Sequence, residues 1–228
     1  GWDRFVHVLA AVTFGVAIGG FVQIAHEVAD GDHVAFENRI MHAMRDDGRP
    51  IGPEWAAGAV SDVTALGSAV VLVLMTVIIL GYLLLSGRRR LALLIAVTIA
   101  GGQVVNTVLK NAFDRARPDA TLHLVTVHST SFPSGHAMAA SIFYLTIGAL
   151  LARAAKRRRI KIYFIGCALG LTCLVAFSRV YLGVHYPTDV LAGWAAGTAW
   201  ALLCWFVADR LGRGGALAAE TGEAAEAP

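Results

Sequence analysis

The sequence predicts an all-α, integral-membrane fold, a bundle of six spanning helices. Three observations carry that expectation. Hydrophobic residues make up 57% of the 228 residues and charged residues only 15%, with a mean hydropathy of +0.63; a soluble domain carries roughly a quarter charged residues. The apolar residues gather into six runs, each near the ~20 residues a helix needs to cross hydrocarbon. The Lys and Arg residues cluster mainly between those runs.

The first run covers about residues 5–29 and weakens at Gln23, His26 and Glu27. A polar stretch, 30–53, follows. In it Val34, Ile40, Met41 and Met44 would face one side of a short interfacial helix, ended by Gly48, Pro50 and Pro53. The second run, about 54–86, opens polar at Glu54, Ser61 and Asp62 and turns strongly apolar from Ala69 to Leu85. Arg88, Arg89 and Arg90 close it. The third covers about 91–113, and a polar loop then reaches Ser131. The fourth, about 134–152, leads into Arg153, Lys156, Arg157, Arg158, Arg159 and Lys161; the fifth covers about 160–178 and the sixth about 187–208. The spanning domain therefore takes residues 1–211, and the Ala-, Gly- and Glu-rich residues 212–228 are expected as a disordered tail. The first Met is Met41, so the Gly1 end reads as a processed one, and no cleavable signal pattern is evident.

The connections after the second and fourth runs hold most of the basic residues, so they are expected on the cytoplasmic side of the cytoplasmic (inner) membrane, with both termini. The loops 30–53, 114–133 and 179–186 would then face outside. Cys167, Cys173 and Cys204 lie inside apolar runs without metal-ligand spacing and read as small membrane-core residues. Nucleic acid is not expected as a partner, because no Lys/Arg face with interleaved aromatics is present.

Three segments on the outer side carry chemistry. In Lys110-Asn111-Ala112-Phe113-Asp114-Arg115-Ala116-Arg117-Pro118, Lys110 and Arg117 stand close to two helical turns apart and would share a face, with Pro118 ending the helix. Asp114 and Arg115 read as solvated loop residues. In Ser131-Phe132-Pro133-Ser134-Gly135-His136, Ser134 is a good N-cap, and the N–H groups of the helix start form an anion site that Gly135 lets a ligand approach. In the stretch from Ser178 to Asp189, Pro187 suits the first helical turn. His185 then stands just outside the helix, and the Asp189 carboxylate reaches back to its ring. A carboxylate on one imidazole nitrogen fixes the tautomer and frees the other as nucleophile or base. Arg179 adds a fork shaped for phosphate oxygens. Taken singly, each segment reads equally as capped helix ends with interfacial anchors.

Together they spell Lys-x6-Arg-Pro, Pro-Ser-Gly-His and Ser-Arg-x5-His-x3-Asp, in that order and on one membrane face. This combination resembles the type 2 phosphatidic acid phosphatase superfamily, with every position of its tripartite motif matched between residues 110 and 189. The stretch before Lys110 carries no motif of its own. The resemblance implies the six-helix bundle that this family shares with the haloperoxidases. It also implies a membrane lipid phosphatase, with the bilayer and a lipid phosphate as partners and no metal or other cofactor. His185 would attack phosphorus to form a phosphohistidine, with Asp189 holding its ring. His136 would protonate the leaving oxygen and then activate water. Lys110, Arg117, Ser134, Gly135 and Arg179 would bind the phosphate oxygens.

Bacterial members of this layout look like undecaprenyl diphosphate or phosphatidylglycerophosphate phosphatases, and phosphatidic acid also stays open. Two other readings compete: a lipid phosphotransferase using the same phosphohistidine, and a non-catalytic transporter or binder of lipid phosphates. A metal site at His123 and His128 is not favoured, since no local carboxylate or Cys completes a ligand set.

Overall fold

A computed structural model describes residues 2–31, 34–46, 49–127 and 129–213. Among these residues the chain forms eight α-helices: α1 (Trp2–Asp30), α2 (Val34–Ala43), α3 (Glu54–Ala65), α4 (Ala69–Leu85), α5 (Arg89–Phe113), α6 (Gly135–Ala154), α7 (Arg158–Tyr181) and α8 (Pro187–Arg213). Two-residue strands β1 (Arg45–Asp46) and β2 (Arg49–Pro50) pair antiparallel after α2. Helices α1, α5, α6, α7 and α8 are each long and apolar enough to cross a membrane, and α3 with α4, bent by 41° where they meet, are so as a pair. Their outward faces carry Val8, Val12, Val16, Val73, Val77, Val104, Val108 and Leu174, all exposed. Apolar residues on the outside as well as the inside suit a helix whose solvent is lipid. Residues 214–228, most of the expected tail, lie outside the described residues.

Helix α6 is central and packs along both α7 and α8. Small residues make the α6–α8 seam. A Cβ on Gly193 would stand 2.5 Å from the Ser134 carbonyl oxygen, and one on Gly197 would stand 2.6 Å from that of Met138. Only glycine lets two helix backbones approach this closely, and in lipid such contact takes the place of hydrophobic driving force. The seam sets the start of α6 beside the start of α8, where the Ser134 N–H donates to the Asp189 carbonyl at 2.9 Å.

Four expectations need correction. The second span is not one helix but breaks at Leu66-Gly67-Ser68. Ser68 caps α4 by accepting from the Val71 N–H, and a Cβ on Gly67 would run into Val175 at 2.5 Å. The break lets Tyr144 donate to the Leu66 carbonyl at 2.8 Å and turns Thr64 inward. Helix α5 stops at Phe113, with Asp114 left-handed at φ 40°, so Arg117 lies in the following loop and shares no helix face with Lys110. Helix α7 runs on to Tyr181, which places Arg179 in its last turn rather than in the loop. In α2 it is Glu37 and Met41 that are buried, whereas Val34 is exposed.

Gly193→Ala should therefore lower stability in detergent by about 1–3 kcal/mol, as overpacking against backbone does. Gly166→Ala, where nothing lies within 4 Å, should not lower the Tm. Equal melting temperatures for the two variants would contradict a tight seam.

Candidate active site

Every motif residue comes to one end of the bundle. Lys110 occupies the last turn of α5, and a Cβ on Gly135 would lie 3.5 Å from its Cε and 3.3 Å from the Asn106 amide nitrogen. Glycine here lets the start of α6 sit against the Asn106 and Lys110 face of α5. His136, in the first turn of α6, lies within electrostatic reach of Arg179, His185, Arg117 and Lys110. At Gly183 the φ of +77° lets the chain leave α7, and a Cβ there would overlap the Leu122 carbonyl. The turn delivers His185 to the pocket two residues before α8 begins.

His185 is 2% exposed, and its two nitrogens face different surroundings. Nε2 lies 3.3 Å from Arg117 Nη1. A guanidinium only donates, so Nε2 carries the lone pair and Nδ1 the proton. Nδ1 faces the Asp189 carboxylate at 3.6 Å and Ser131 Oγ at 3.5 Å. Burial pushes the His185 imidazole down to about 4, against the opposing hydrogen bond and charge of Asp189, while Arg117 and Arg179 lower it further. The ring is therefore neutral at physiological pH, with an available lone pair on Nε2.

The cations around that lone pair bond to neutral groups. Lys110 Nζ donates to the Thr130 carbonyl at 2.7 Å. Arg117 donates to the Ser129 carbonyl at 2.5 Å and the Val184 carbonyl at 2.6 Å, and burial lowers its pKa. Arg179, 4% exposed, donates through Nη1 to Thr64 Oγ1 at 3.0 Å. Its Nε and Ser134 Oγ are buried without a hydrogen-bond partner among the described residues. Ser134 thus holds the N-cap position of α6, yet its hydroxyl makes no capping bond. Buried donors left in this state point to an anion, because an unmade bond costs about 1–3 kcal/mol. Lys110 and Arg117 still converge, though through the shared Thr130 carbonyl and not through helical spacing.

Sequence reasoning missed the ion-pair network behind Asp189. Arg115 is not solvated: its side chain is 12% exposed and bridges Asp189 at 2.6 Å and Glu37 at 2.5 Å. Burial pulls its pKa down, but Asp189 and Glu37 outweigh that and hold it above its ordinary value. Ser131 Oγ donates to Asp189 Oδ2 at 2.5 Å. One signal was available. Pro118 ends the helix and disfavours helical backbone at Arg117, and in an extended chain residues two apart share a side, so Arg115 was a candidate to accompany Arg117 toward the pocket. Asp114, by contrast, is exposed as expected. His123 Nε2 donates to the Pro118 carbonyl at 3.1 Å, and His128 lies outside the described residues.

One consequence can be read by pH. Because folding depresses the His185 pKa, the stability it contributes is complete above about pH 6.5 and is lost as pH falls toward about 4. The Tm of the wild type relative to His185→Gln should fall across that interval. A constant difference would contradict a buried neutral ring.

Comparison with known proteins agrees with this geometry. The PAP2 superfamily profile matches residues 91–213. The chain is 35% identical over 147 residues to the phosphatidylglycerophosphatase B of Bacillus subtilis, covering 63% of this chain and 70% of that one. It is 30% identical over 190 residues to the lipid A 1-phosphatase of Rhizobium etli, covering 72% and 78%. Among solved structures, the transmembrane PAP2 type phosphatidylglycerolphosphate phosphatase of Bacillus subtilis superposes with a TM-score of 0.79 at 28% identity. That match covers 87% of this chain and 96% of that one. The profile covers the whole tripartite motif from Lys110 to Asp189 and the helices that hold it, and the chain belongs to the PAP2 superfamily, within its multi-pass membrane lipid phosphatases.

Proposed function

We propose that this chain removes a phosphate from a lipid phosphate or diphosphate through a phosphohistidine on His185, at the outer face of the cytoplasmic membrane. The observation that carries the reading is the lone pair of His185 Nε2, held beside three cations whose own hydrogen bonds run to neutral groups. Such a pocket favours a phosphate dianion and, more strongly, the charge that spreads over its oxygens during transfer.

His185 Nε2 attacks phosphorus, and the bond from phosphorus to the leaving oxygen breaks. His136, which takes up a proton as the phosphate dianion binds among the cations, gives that proton to the leaving oxygen. Asp189 stabilises the positive charge that develops on the His185 ring. The now neutral His136 takes a proton from water, whose oxygen attacks phosphorus. The phosphorus–nitrogen bond breaks, and phosphate leaves. Lys110, Arg117, Arg179, Ser134 and the Gly135 N–H hold the non-bridging oxygens throughout.

The Bacillus relative's name makes phosphatidylglycerophosphate the first substrate to test, with undecaprenyl diphosphate, phosphatidic acid and lipid A 1-phosphate beside it. Purified protein in detergent with EDTA should release phosphate from at least one of these. His185→Ala should abolish release while leaving lipid binding largely intact. Turnover of that variant within about tenfold of wild type, roughly 1.4 kcal/mol in barrier, removes His185 from the nucleophile role.

The outer-face assignment rests on the basic connections around Arg88–Arg90 and Arg153–Lys161. A cysteine replacing the exposed Asp114 should react with an impermeant maleimide added outside intact cells. Labelling only after lysis would reverse the orientation.

A further inference from the structure

Glu37 is a carboxylate at 1% exposure on a short outer helix, and all its bonds lead to the reaction centre. Its Oε2 accepts from Arg115 Nη2 at 2.5 Å, and its Oε1 accepts from the Thr188 N–H at 3.2 Å and from the Thr188 hydroxyl. Arg115 Nη1 in turn donates to Asp189 Oδ1 at 2.6 Å and to Thr188 Oγ1 at 2.9 Å. The guanidinium carbon lies 4.5 Å from the centre of the Tyr186 ring. Asp189 Oδ2 is left to Ser131 Oγ, the Tyr186 N–H and the ring of His185.

We propose that Glu37 is a positioning residue: through Arg115 it preserves the negative charge that Asp189 presents to His185. This rests on the roles given above to His185 and Asp189. The argument is one of charge balance. Arg115 orients Asp189 through a short charge-assisted bond, but a guanidinium paired with Asp189 alone would form a neutral couple. A neutral couple stabilises a positive imidazole ring poorly. Glu37 occupies the second arm of the fork, and the trio of Glu37, Arg115 and Asp189 keeps a net charge of minus one beside Nδ1. The same pairing spares Glu37 from standing as an uncompensated buried charge. Thr188, bonded to both Glu37 and Arg115, fixes the start of α8 to the pair.

The test separates charge from shape. Glu37→Gln keeps the size but removes the charge and turns one of the two accepting oxygens into a donor, whereas Glu37→Asp keeps the charge and both acceptors and loses a methylene. With short-chain phosphatidylglycerophosphate in detergent micelles, Glu37→Gln should lower kcat about tenfold or more, the scale of one lost charge-assisted interaction. KM should stay within about twofold, because Glu37 is not placed on the phosphate. Glu37→Asp should be the faster of the two. Glu37→Gln at the wild-type rate, or faster than Glu37→Asp, overturns the inference, as does a loss borne mainly by KM. If Glu37→Gln does not fold, Glu37→Asp against Glu37→Asn repeats the comparison at equal length.

Wild type and His185→Ala run alongside. A wild type that releases no phosphate from any of the four lipids named above, or a His185→Ala variant that matches it, defeats the reading of the site and this inference with it. An inactive His185→Ala beside a normal Glu37→Gln defeats the inference alone.

Discussion

The carboxylate of Asp189 is the constraint on which the outer end of the bundle depends. It is fully buried, and a buried charge is stable only when its lone pairs are met by donors. Those donors come from far apart in the chain: Arg115 after α5, Ser131 before α6, and the Tyr186 backbone at the start of α8. Its own carbonyl accepts from Ser134. Satisfying this one group therefore fixes the loop 114–134 and the start of α8 relative to one another. The His185 ring is left facing an anion on one edge and cations on the other.

The pocket is divided by sign. Glu37 and Asp189 meet Arg115, while Lys110, Arg117 and Arg179 bond to carbonyls and hydroxyls. Had the acids faced those three cations, each would have closed an ion pair and left little field for a ligand. Arg115 prevents this by holding both acids on the far side of the imidazole. The bent second span contributes in the same way: its break presents Thr64, a neutral acceptor, to Arg179.

Much of this was legible in the sequence, and what escaped has a physical cause. Six apolar runs foretold the spans because lipid tolerates little else, and the motif spacing named the residues that gather around His185. The break at residues 66–68 was hidden because Leu66, Gly67 and Ser68 interrupt neither hydropathy nor length. What selects it is a close contact of Gly67 with Val175, more than a hundred positions away. The convergence of Lys110 and Arg117 was foreseen for a helical reason that does not operate, since the loop 114–131 brings Arg117 back. Glu37 was one of several acids in a polar stretch. A single charged residue on an interfacial helix gives no sign of a distant partner.

The glycine seam between α6 and α8 bears on how such a catalyst adapts. His136 rides on α6, and His185 and Asp189 stand at the head of α8. With backbones in direct contact at Gly193 and Gly197, the spacing of the two imidazoles is set by hard-core repulsion and does not wait on a ligand. The spacing of the two imidazoles is thereby mechanically decoupled from the outer apolar faces of the bundle. The exposed apolar residues on α1, α4 and α5 can change while His136 and His185 keep their distance.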